Sequence, residues 1–171
     1  MTNSVQLYSL NAKDVKTYIF AVLFIVGNII LPQLCHLIPK GGFIFLPIYF
    51  FTLIGAYKYG WKVGMLTAIC SPLINHFLFG MPPAAVLPAL IIKSSLLALG
   101  ASFVAYRFKQ ISLLLLFSVV LFYQISGCLI ETALHSSFAI GFQDFRIGIP
   151  GMLFQVFGGY AVIKTLFNKK C

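Results

Sequence analysis

Apolar runs of membrane-crossing length, separated by short basic turns, constrain this chain more than any other feature of it. A helix needs about 20 apolar residues to cross roughly 30 Å of hydrocarbon. The runs are Val15 to Ile38, Phe43 to Tyr57, Val63 to Phe79, Ala84 to Tyr106, Ile111 to His135 and Ile147 to Phe167. Each stops at a turn-forming or charged segment, such as Pro39-Lys40-Gly41-Gly42 or Arg107-Phe108-Lys109-Gln110. The second and third runs are short and so is the turn between them, which predicts an antiparallel pair. A water-facing surface is out of reach, because only 9% of the residues are charged where a soluble domain carries about 25%. The expected fold is all-α: one integral membrane domain over residues 1–171, with six transmembrane helices. Residues 1–14 form a cytoplasmic N-terminal segment. The first run is too long for the core of a secretory leader and has no small-x-small cleavage site behind it, so no leader is expected.

The cations set the orientation. Lys13, Lys16, Lys58, Lys62, Arg107, Lys109, Lys164, Lys169 and Lys170 fall at one set of helix ends, and Lys40 and Arg146 at the other. Short loops rich in Lys and Arg stay on the cytoplasmic side. Both termini are therefore expected in the cytoplasm, across a bacterial inner membrane. Tyr57, Tyr59, Trp61 and Tyr106 stand where an interfacial aromatic belt belongs. The formal net charge of +9 thus reads as topology. No arginine-rich or aromatic-interleaved basic tract suggests nucleic acid.

Polar groups inside a bilayer are costly and so are candidates for function. On the expected topology they gather toward the outer side: His36 at the end of the first run, Asn75 and His76 late in the third, Glu131 and His135 late in the fifth, and Asp144 with Arg146 before the sixth. Gln124, Cys128, Glu131 and His135 recur at helical spacing and form one stripe. Gly148, Gly151, Gln155 and Gly159 form another. Each stripe faces either a neighbouring helix or a cavity. Lys93 lies roughly 13 Å below the outer end of its helix. It is either half of a structural ion pair with Glu131 or the counter-charge for an anionic ligand. The candidate ligand-lining set is Asn75, His76, Lys93, Glu131, His135 and Gln155.

Catalysis is not expected. The chain has no serine-nucleophile elbow, no H-E-x-x-H and no paired aspartates. The three histidines lack metal-ligand spacing, and the four cysteines form no C-x-x-C pair, so neither a metal site nor any cofactor is expected. No Walker A motif occurs, so any ATP hydrolysis would lie in another chain.

The stretch Asn75-His76-Phe77-Leu78-Phe79-Gly80-Met81-Pro82-Pro83-Ala84-Ala85-Val86-Leu87-Pro88 resembles the substrate-binding S components of energy-coupling-factor (ECF) vitamin transporters. The G-M-P-P turn between apolar helices, the size, the six helices and the basic cytoplasmic ends all agree with that family. The resemblance implies capture of a vitamin or related micronutrient at the outer face. It also implies partners: an ECF transmembrane subunit and two ATPase subunits. Where the family carries A-x-x-x-A on its first helix for docking, this chain has Thr17 and Ala21, followed by the bulkier Ile25. Where many relatives have a glutamate after the turn, it has Lys93, which implies a ligand of different polarity. Thr2 stands where the nickel and cobalt members carry histidine, so a metal substrate is not implied. Two other functions suit a chain of this make-up: a cell-shape scaffold of the MreD type, and a solitary carrier working without the module.

Overall fold

A computed structural model describes residues 10–11, 13–39, 41–135 and 143–168; the side chains at positions 43, 134, 135, 143, 144, 167 and 168 are outside that description. The described elements are helices α1 (Val15–His36) and α2 (Gly41–Phe45), a 3-10 turn at Pro47–Tyr49, then α3 (Phe50–Tyr59), α4 (Trp61–Phe79), α5 (Leu87–Phe108), α6 (Leu113–His135), α7 (Gln143–Ile147) and α8 (Ile149–Asn168). Five of them, α1, α4, α5, α6 and α8, are long and apolar enough to cross a membrane. This is the make-up of a multi-pass membrane protein.

The second apolar run departs from the single helix expected of it. Leu46 sits in the left-handed region at φ 46°, and Pro47 opens the 3-10 turn behind it. Proline disfavours the right-handed helical region for the residue before it and suits the first position of a new helix. The run therefore breaks, and α3 keeps 10 residues, about 15 Å of rise. Its apolarity serves the protein core instead of lipid. Nine of its ten residues are buried, and it packs against α1, α4, α5 and α8. Close approach is possible because Gly64 of α4 faces Ala56: a Cβ at Gly64 would lie 2.5 Å from that of Ala56.

Hydrogen bonds tie the cation-rich segments into one end of the bundle. The Leu10 amide donates to the Tyr59 carbonyl at 3.3 Å. Lys62 Nζ donates to Asn11 Oδ1 at 2.8 Å, and Tyr57 Oη to the Gln110 carbonyl at 2.6 Å. Lys58 Nζ reaches the Leu166 carbonyl at 2.7 Å, where a cation meets the negative end of α8. The start of α1, the α3–α4 and α5–α6 turns and the end of α8 thus lie together.

The proline within α1 is compensated by a side chain of α4. Pro32 has no N–H, so the carbonyl four residues back, that of Asn28, loses its helical partner. Asn75 Nδ2 of α4 donates to that carbonyl at 3.0 Å. The Asn28 side chain in turn bonds Thr52 Oγ1 at 3.0 Å, Ser71 Oγ at 3.3 Å and the Phe51 amide at 3.2 Å. A polar knot therefore joins α1, α3 and α4 inside an otherwise apolar core.

Candidate binding site

Two helices bring Lys93 and Glu131 together. Lys93 lies on α5 and Glu131 on α6, and their side chains form an ion pair that is 2% and 10% exposed. The lysine reaches across because Gly127 leaves the facing surface of α6 bare: a Cβ there would overlap Lys93 Cγ. One turn of α6 separates Gly127 from Glu131, so the lysine stem lies along the glycine and its ammonium meets the carboxylate.

Buried polar atoms on α5 and α6 also lack hydrogen-bond partners among the described residues. Gln124, seven residues before Glu131 and on the same face of α6, is fully buried, and among the described residues neither its Nε2 nor its Oε1 has a hydrogen-bond partner. Ser94 Oγ and Thr132 Oγ1 are likewise buried and unpartnered. A buried amide with both ends unmet costs roughly 1–3 kcal/mol per group. Native proteins keep few such groups, and each calls for an explanation such as a bound water, an ion or a functional role. Buried Cys128 completes the stripe between Gln124 and Glu131.

The remaining expected site residues have other engagements. Asn75 is 2% exposed and spends both Nδ2 hydrogens on backbone, on the Asn28 carbonyl and on that of Ser71 at 3.1 Å. His76 is half-buried, and its Nδ1 lies 2.7 Å from the Pro82 carbonyl, pinning the Gly80–Pro83 turn to α4. That turn begins with Gly80 at φ 68°, which ends the helix in a left-handed cap, and contains a cis Met81–Pro82 bond. Gln155 of α8 accepts from Tyr123 Oη at 3.0 Å and lies 3.5 Å from the Leu46 carbonyl. The glycine stripe around it is a packing surface, since a Cβ at Gly151 would strike the Phe45 backbone at 2.5 Å. The His135 and Asp144 side chains lie outside the described residues.

Thr17 and Ala21, expected as a docking face, point into the bundle, at 1% and 3% exposure. Thr17 Oγ1 donates to the Asn11 carbonyl at 2.6 Å. The outward face of this half of α1 is Tyr18, Ile19, Val22 and Leu23. Sequence reasoning also missed Asn28, Thr52 and Ser71; only the spacing of Asn28 to Pro32 signalled an acceptor in need of a donor.

No family model, curated protein or solved structure matches this chain.

Proposed function

We propose that the chain is a membrane-embedded substrate-capture subunit, of the kind found in ECF-type vitamin uptake, with Lys93 and Glu131 as the charged part of its binding site. The observation that carries this reading is the buried ion pair, with a buried Gln124 amide two turns away on α6 that has no partner among the described residues. An ion pair taken out of water adds little or nothing to stability compared with apolar residues of similar volume. In a bilayer-embedded bundle it is accordingly a mark of function. The proposed orientation places the cation-rich end in the cytoplasm, makes the broken second run a sixth, composite pass, and opens the site toward the Gly80–Pro83 end.

Opening the pair fixes the ligand's chemistry. A carboxylate or phosphate that takes the Lys93 ammonium leaves the Glu131 carboxylate without its cation. A ligand with a second, positively charged or strongly donating group replaces that cation and keeps the site neutral. Gln124 offers such a ligand both a donor and an acceptor. A small amphoteric, vitamin-like molecule meets these demands better than a simple anion. Energy for its release would come from a separate transmembrane subunit and two ATPases.

Isothermal titration of the purified chain against a vitamin panel tests the reading. Binding by one amphoteric member, weakened by Lys93→Ala by about thirty-fold or more while the variant stays folded, is the expected result. Equal affinity for wild type and Lys93→Ala would remove the pair from the site.

A further inference from the structure

A groove of about 300 Å³ runs between the first half of α4 and the start of α1, lined by Thr17, Tyr18, Trp61, Lys62, Met65, Leu66, Ile69 and Cys70. We infer that it binds one acyl chain of an anionic phospholipid, with the lipid phosphate on Lys62. This goes beyond the substrate-capture reading and does not depend on it.

Length and width select the occupant. The α4 residues that line the groove run from Trp61 to Cys70, nine steps of helix or about 14 Å. That is close to half of the roughly 30 Å hydrocarbon thickness, the depth of one leaflet. Spread over that length, the volume leaves a cross-section of roughly 20 Å², about a quarter or less of that of a helix 10–12 Å across. A hydrocarbon chain fits this width; a partner's transmembrane helix does not.

Charge complementarity at the mouth supplies the headgroup preference. Lys62 Nζ stands 5.9 Å from the Trp61 ring centroid and gives one hydrogen bond to Asn11, so two of its three ammonium donors stay available for a phosphate. Lys13 and Lys16, both exposed, flank Thr17 on the same end of α1. Of the three acids in the sequence only Asp14 belongs to this end, and its carboxylate already accepts from the Asn11 amide at 2.9 Å. The Thr17 hydroxyl in the wall is spent on the Asn11 carbonyl.

Native mass spectrometry of the delipidated full chain with phosphatidylglycerol or phosphatidylcholine tests the site. One tightly retained phosphatidylglycerol is expected, favoured over phosphatidylcholine by about fivefold for the single lysine contact. Lys62→Gln should erase that preference, and Ile69→Trp, which fills the groove, should remove the tight site for both lipids. Alkylation of Cys70 in a Cys35→Ser/Cys171→Ser background gives a reading with the groove intact. Phosphatidylglycerol should slow it, whereas glycerol phosphate, a headgroup without chains, should not. Equal retention of the two lipids by the wild type, no effect of Ile69→Trp, or Cys70 labelling indifferent to phosphatidylglycerol would each overturn the inference. So would a photo-crosslinker at position 69 that captures a partner protein in place of lipid.

Discussion

Replacing Asn75 by alanine should destabilise the bundle, and much of that cost should vanish once Pro32 is also replaced by alanine. The reason is the Asn28 carbonyl. In the native chain Pro32 cannot donate to it, and Asn75 Nδ2 takes over at 3.0 Å. Removing Asn75 leaves this buried acceptor with nothing, at about 1–3 kcal/mol. It also loses the 3.1 Å bond to the Ser71 carbonyl and opens a small cavity. With Pro32→Ala, the amide of residue 32 regains its helical bond to the Asn28 carbonyl, so only the Ser71 and cavity losses remain. The double-mutant cycle cancels those two and isolates the Asn28 contribution. A coupling of about 1–2 kcal/mol is expected, roughly five- to thirty-fold in the unfolding equilibrium. Reversible unfolding in mixed micelles, followed by circular dichroism over the four proteins, measures it. An Asn75→Ala penalty that is the same with proline or alanine at position 32 refutes the compensation.

Breaking the Lys93–Glu131 pair from one side, by Lys93→Met or Glu131→Leu, should cost about 3–5 kcal/mol; replacing both together should restore most of the stability while ligand binding stays lost, as thermal melts with titration would register. Gly127→Ala should push the Lys93 stem off α6 and destabilise by about 1–3 kcal/mol through overpacking; a melt indistinguishable from wild type would mean that the lysine has room elsewhere. On topology, cysteines placed at Lys62 and Lys109 should react with a membrane-impermeant maleimide only after the cytoplasmic side is opened, and one at Gly80 should react in intact cells. Labelling of position 80 from inside alone would remove the six-pass reading.

The long helices were legible because length and hydropathy are what a bilayer selects. The five runs that became helices long and apolar enough to span begin within about three residues of those helices. The break in the second run was missed, because apolarity alone shows neither where a helix stops nor whether it faces lipid or core. Pro47, in the middle of the run, was the available sign. The Lys93–Glu131 pair could be read because two opposite charges inside apolar runs have few other partners. Asn75 and Gln155, singled out as ligand-lining candidates, are buried and bonded to the backbone carbonyls of Asn28, Ser71 and Leu46 and, for Gln155, to the Tyr123 hydroxyl. Every residue carries a carbonyl, so no letter in the sequence marks which one will be left open. Asn28 escaped notice for a related reason, being a neutral residue in the middle of a strongly apolar run.

The short central helix α3 sets the timetable of the protein's birth. Its last polar tie, from Lys58 to the Leu166 carbonyl, joins residues 108 positions apart. At ribosomal speeds of about 5–20 residues per second, the acceptor is made roughly 5–20 s after the lysine. Through that interval a 10-residue helix lacks the length to hold itself across a membrane and still lacks the last of its neighbours, α8. Its nascent form leans first on α1 and then on α4 and α5, and its packing against the final helix comes last.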